Sequence, residues 1–170
     1  MEKSENPMRE IRIEKITLNM GTSKNVDKLE RAIKLLNRIT GAKPVKTITE
    51  KRIPTWNLRP GIPVGAKVTI RKNTDELLKK LLQAVDNKLK ARQINPGTFA
   101  FGIKEYIDIP GLKYDPELKV LGLEVTVTLE RPGYRIKRRR IKNKKVGKSH
   151  LITKEDTINF LKEKFNVQIS

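Results

Sequence analysis

The chain has 170 residues, which on the usual scale of roughly 100–200 residues per domain means one domain with a single core. Thirty-eight Lys and Arg against nineteen Asp and Glu leave a formal charge of +19, which requires an acidic partner, either nucleic acid or an anionic membrane surface. No run approaches the roughly 18–20 apolar residues that cross a bilayer. The opening MEKSENPMRE lacks the apolar stretch of a secretion signal, and zero cysteines exclude disulfides and thiolate metal sites, which fits a reducing compartment.

The charge is patterned. Residues 1–72 hold seventeen basic and seven acidic side chains, and residues 130–150 hold ten and one, while 73–129 and 151–170 balance at eight of each and three of each. Two cationic blocks separated by a neutral stretch are not a generic solvated surface, and they point to nucleic acid.

In chain order, Arg9 to Met20 reads as a strand, with Ile11 and Ile13 in one phase and Ile16, Leu18 and Met20 in the other. The change of phase near Glu14 and Lys15 implies either a bulge or a strand covered on both faces. From about Asn25 to Ile39, the set Val26, Leu29, Ile33, Leu36 and Ile39 follows helical spacing, with Gly41 placed as a C-terminal cap. Val45 to Thr49 and Val64 to Arg71 are β-rich segments around KRIPTWNLRPGIP, whose three prolines and one glycine predict a long irregular loop. Asn73 to Glu76 supplies cap residues and first-turn acids for a helix expected to run to about Arg92, with Leu77, Leu78, Leu81, Leu82, Val85 and Leu89 on its apolar face. Thr98 to Ile103 and Leu123 to Leu129 are strands, the second alternating cleanly between apolar and polar residues. The basic run beyond Arg131-Pro132-Gly133 cannot bury a core, and Thr153 to Asp156 resembles a capping box opening a last helix that buries Ile158, Leu161 and Phe165. The expected fold is α+β: a mainly antiparallel sheet with helices packed on one face, as a single RNA-binding domain over 1–170 that includes the loop 50–63 and the basic segment 130–150.

Catalytic chemistry has little to work with. His150 is the sole imidazole and borders a basic run, where a solvated or phosphate-contacting role outweighs catalysis. Gly61 to Lys67 superficially matches a phosphate-cradling loop, but it has three residues between its glycines and no hydroxyl after the lysine. Asp108, Asp115 and Glu117 sit around proline turns, where turn chemistry is the better reading than metal binding. No catalytic residue, metal, cofactor, membrane or small-molecule substrate is therefore expected.

Aromatics make up five per cent of the chain, so contacts to phosphate and ribose should dominate over stacking. Three regions can supply them. The first runs from Lys15 to Lys24: with Ile16, Leu18 and Met20 inward, Lys15, Thr17 and Asn19 share the opposite face, and Gly21, Thr22 and Ser23 offer backbone N–H groups at a helix start. The second, Lys43 to Lys72, carries Lys43, Lys46, Lys67, Thr69 and Arg71 on or beside strands. Its loop holds Arg52, Thr55, Trp56, Asn57 and Arg59; Trp56 either anchors that loop on the core or stacks on a base. The third, Tyr134 to Lys148, has nine cations and no acid: Arg135, Lys137, Arg138, Arg139, Arg140, Lys142, Lys144, Lys145 and Lys148. It is expected to order on RNA.

Ile13 to Gly21, Thr40-Gly41-Ala42-Lys43-Pro44, Arg59 to Arg71, and Phe101 to Glu105 through Tyr114-Asp115-Pro116 to Gly122-Leu123, in this order, closely resemble the universal large-subunit ribosomal protein family that binds 5S ribosomal RNA. Arg131-Pro132-Gly133 and Lys148 to Phe165 look like its archaeal and eukaryotic cytosolic branch. The resemblance implies a non-enzymatic, cytoplasmic component of the central protuberance that joins 5S RNA to the large ribosomal RNA beside neighbouring large-subunit proteins. It implies 5S contacts at Lys15, Asn19 and Thr69, places Ala42 where the family often has a contacting Gln, and makes Arg52 to Pro63 the loop that reaches peptidyl-site transfer RNA. The basic segment would meet large ribosomal RNA. The competing reading is a sequence-tolerant DNA or chromatin architectural binder, which the charge alone permits.

Overall fold

The computed structural model describes residues 6–23 and 25–170. Strand β1 (Arg12–Gly21) leads into helix α1 (Val26–Thr40), the hairpin β2 (Val45–Ile48) and β3 (Pro63–Ile70), and helix α2 (Thr74–Gln83). Two-residue strands β4 (Lys88–Leu89) and β5 (Ile94–Asn95) precede β6 (Thr98–Ile103) and β7 (Leu123–Glu130). A single helical turn α3 (Arg135–Arg138), helix α4 (Lys154–Phe165) and strand β8 (Gln168–Ile169) complete the chain.

Six strands form one antiparallel sheet in the order β2-β3-β1-β7-β6-β5. Its registers define two faces. Ile70, Ile16, Val127, Phe99 and Ile94 form one cross-strand row, with Val68, Leu18, Val125 and Phe101 beside it. These residues join Leu29, Leu35 and Leu36 of α1, Leu78, Leu81 and Leu82 of α2, and Leu161 of α4 in one buried cluster. All three helices therefore cover the same face, as alternation in β1 and β7 predicts.

The phase change in β1 is a bulge. Register moves from Ile13 opposite Leu129 to Lys15 opposite Thr128, which leaves Glu14 as the extra residue. Ile11 and Ile13 thereby face the same core as Ile16, Leu18 and Met20. Helix α1 starts on the Asn25 side chain, which accepts the Lys28 N–H, and ends on Gly41 at φ 64. Val26, in its first turn, is exposed; Ala32 and Leu35 are buried with Leu29 and Leu36, while Ile33 and Ile39 are half-buried against the core.

Helix α2 is shorter than expected. It stops at Gln83 because Asp86 and Asn87 both adopt left-handed φ near 54, a turn that redirects the chain. Leu89, in phase with the helix, is instead buried in β4, which pairs in parallel with β8. Asn73 precedes α2 in a left-handed conformation and its side chain makes no cap bond; Asp75 and Glu76 supply the first-turn acids. The α4 capping box is present, with Asp156 as its acidic member, and Thr157 and Phe160 are buried with Leu161 and Phe165 while Ile158 is half-buried.

Candidate nucleic-acid interface

Among the described residues, none of α1, α2 and α4 covers the other face of the sheet; only the single turn α3 reaches it, through Arg138. Thr69, Thr17, Thr126 and Ala100 form one row across four strands, flanked by Lys67, Asn19, Glu124 and Gly102 on one side and by Lys15, Thr128 and Thr98 on the other. Thr is favoured on a pleated surface and its hydroxyl needs no protein partner when solvated, so the row is stable while bare. The central row is of short side chains, with the longer Lys15, Lys67 and Glu124 on either side of it.

Lys15, Thr17 and Asn19 share one face, as expected, and the register places Lys67 and Thr69 of β3 on that same surface. The row on β6 and β7 extends it; alternation in Thr126 and Thr128 is the signal that could have found it. Gly65 is a further residue whose role the sequence does not announce. A Cβ there would lie 2.5 Å from the Met20 carbonyl oxygen and 2.9 Å from Thr47 Oγ1, so its absence lets β1 and β3 come close beside Asn19 and Lys67.

Other predicted positions lie elsewhere. Lys46 pairs with Ala66, a core residue, so it sits on the helix side of the edge strand although it is exposed. Thr22 is buried and its N–H donates to Val64 O at 2.9 Å, and the start of α1 is capped by Asn25; Thr22 is therefore not a free phosphate-binding amide. Gly21 and Ser23 are exposed, Ser23 in a turn at φ 55, and Lys24 lies outside the described residues. Pairing of β3 with β2 ends at Lys67. Beyond that point Thr69 and Arg71 line a groove with Thr40 and Ala42 at the end of α1. Lys43 is exposed just before β2.

The 50–63 loop is irregular but held at its base. Ile53 and Leu58 exchange backbone hydrogen bonds at 3.0 Å, and Thr49 Oγ1 donates to Arg59 O at 2.6 Å. Leu58 anchors the loop, whereas Trp56 is 69% exposed at its tip beside exposed Arg52, Thr55, Asn57 and Arg59. The anchoring alternative for Trp56 is thereby excluded.

The basic segment, expected to order only on RNA, follows a defined course. Tyr134 Oη donates to His150 O at 3.1 Å and accepts the Ile152 N–H at 3.0 Å. The His150 ring, edge-on to Tyr134, sets Nε2 2.8 Å from Pro132 O. The imidazole is a half-buried structural joint, where a solvated or phosphate-contacting group is expected from the sequence. Arg138 reaches back to Glu14 and Glu130 on the bare face.

Ion pairing shows where charge is unspent. Among the described residues, carboxylates pair with Arg12, Lys15, Lys34, Arg38, Arg131, Arg138 and Lys164. Lys43, Lys46, Arg52, Arg59, Lys67 and Arg71 have no such partner, nor do the other eight cations of the basic segment. Unneutralised cations around a bare polar face make an electropositive surface. Among the described residues there is no cluster of metal-ligating side chains and no helix long and apolar enough to cross a membrane.

A small α+β domain with one sheet face bare and cations massed without counter-ions at its rim has the architecture of a nucleic-acid-binding scaffold. Comparison with known proteins narrows this. A family model described as "Ribosomal protein L5" matches residues 6–59, and the model of the same ribosomal family's C-terminus matches 63–160. The large ribosomal subunit protein uL5 of Nanoarchaeum equitans is 55% identical over 167 residues, covering 97% of this chain and 99% of that protein. Those of Sulfurisphaera tokodaii and Methanobrevibacter smithii are 44% and 41% identical, covering 96% and 95% of this chain and 94% and 96% of theirs. The chain belongs to the ribosomal L5 family. It is a ribosomal protein of the large subunit, acting in the cytoplasm, and not an enzyme. The two family matches meet in one sheet, since β1 from the first lies between β3 and β7 from the second.

Proposed function

We propose that this protein is a single RNA-binding domain that holds 5S ribosomal RNA on its bare sheet face and joins it to large ribosomal RNA in the central protuberance, beside neighbouring large-subunit proteins. The observation that carries this reading is the pair of uncovered rows, Asn19 opposite Lys67 and Thr17 opposite Thr69, with the exposed cations Lys43 and Arg71 nearby. Phosphates meet the rim, and the hydroxyl and amide groups of the face meet ribose, whose 2′-OH both donates and accepts. The basic segment 134–148 takes large ribosomal RNA. The exposed tip with Trp56, Arg52 and Arg59 approaches peptidyl-site transfer RNA, for which an unburied indole between cations is suited.

Competition titration tests this: 5S ribosomal RNA should displace a labelled 5S probe far better than duplex DNA of equal charge, and affinity should fall steeply with salt. Equal competition by DNA would favour the architectural DNA binder instead.

A further inference from the structure

We infer that Glu14 and Glu130 are positioning residues for RNA binding: through Arg138 they clamp the basic segment to the bare sheet face, so that removing these two negative charges weakens RNA binding. The inference rests on the reading of segment 134–148 as an RNA contact and adds how that contact is held.

Three carboxylates stand on this face: Glu124, beside Asn19, has no cation partner among the described residues, whereas Glu14 and Glu130 are neutralised together by one arginine. Glu14 is on this face because of the bulge: it is the extra residue of β1, and its side chain is 12% exposed. Glu130 follows Thr126 and Thr128 on the outward side of β7. The Arg138 guanidinium bridges them, with Nη1 2.6 Å from Glu14 Oε1 and Nη2 on Glu130 Oε2. Glu14 lies 124 positions from Arg138 in the chain, so this is a long-range tether. The Tyr134–His150 joint closes the base of the same segment. Fixed at its base and at α3, the segment presents its eight other cations with part of their freedom already lost, which lowers the cost of ordering them on RNA. The clamp also assigns Arg138 a role unlike that of its neighbours: it is spent on protein carboxylates while they remain free.

This account inverts the sign that net charge alone gives. In the full-length protein, E14Q/E130Q should bind a large ribosomal RNA fragment about threefold to tenfold more weakly at fixed salt. R138Q should do the same, and the triple variant should be no weaker than R138Q, the non-additivity of groups acting as one unit. In the absence of RNA, trypsin should cut after Arg139 and Arg140 several-fold faster in E14Q/E130Q than in the unaltered protein. Tighter RNA binding by E14Q/E130Q, or an unchanged cleavage rate, would overturn the clamp. Unaltered protein that fails to bind RNA would instead refute the proposed function, and the cleavage rates would still decide whether the clamp exists.

Discussion

Asn19 on β1 stands directly opposite Lys67 on β3, on the sheet face away from α1, α2 and α4. An amide beside an unpaired ammonium offers hydrogen-bonding groups next to a charge, the combination that ribose and phosphate together require. Asn19→Ala should therefore weaken 5S RNA binding by about fivefold, the value of one hydrogen bond near 1 kcal/mol. Thermal melting should be unchanged, because the side chain makes no bond that the fold needs. Unaltered affinity would remove Asn19 from the interface.

Gly65 sets the spacing of the same two strands. Gly65→Ala places a methyl carbon 2.5 Å from the Met20 carbonyl oxygen, which is backbone and cannot swing aside. A destabilisation of about 2–3 kcal/mol is expected in denaturant titration. Wild-type stability in this variant would mean that β1 and β3 have slack.

Much of this was legible in the sequence, and the failures have physical causes. Strict alternation in Leu123 to Leu129 and the phase change at Glu14 identify the inner face, because period-two burial leaves no other solution. Leu89 misleads because a residue in phase with a helix can equally be a buried strand residue, and its partner, Ile169, is eighty positions away. Thr22 misleads because nothing local shows that its N–H is already bound to Val64 O. The clamp on Arg138 is invisible for the same reason, since its partners Glu14 and Glu130 come together only through the sheet.

Asp156 ties α4 to the sheet. It accepts the Thr153 N–H at 3.0 Å and pairs with Arg131 at 3.0 Å. The Thr153 amide, helped by its hydroxyl and by Arg131, holds this carboxyl below the ordinary range against the opposing pull of burial. A lowered folded-state pKa contributes stability above the unfolded value near 4, and this is lost as pH falls through the folded value. Asp156→Ala should cost about 2 kcal/mol at pH 7, roughly a 4–8 °C drop in Tm, by losing the cap and Arg131's partner. The difference from wild type should shrink below about pH 4. A pH-independent difference would show that the carboxylate charge contributes nothing.

Trp56 is exposed and the loop is closed without it, by the Ile53–Leu58 backbone pair. Trp56→Ala should leave stability within about 0.5 kcal/mol. On ribosomes carrying the variant, binding of peptidyl-site transfer RNA should weaken by about fivefold or more, the loss of one stacking contact of about 1–3 kcal/mol. Lost stability with unchanged transfer RNA binding would assign the indole a structural role.

The bare sheet face as the 5S interface is tested most directly by site-specific photo-crosslinking. A crosslinking residue at Thr69, on the uncovered face, should capture 5S ribosomal RNA in high yield, whereas one at Glu30, exposed on α1 in the opposite layer, should capture little. Equal capture from both positions, or capture from Glu30 alone, would contradict the account.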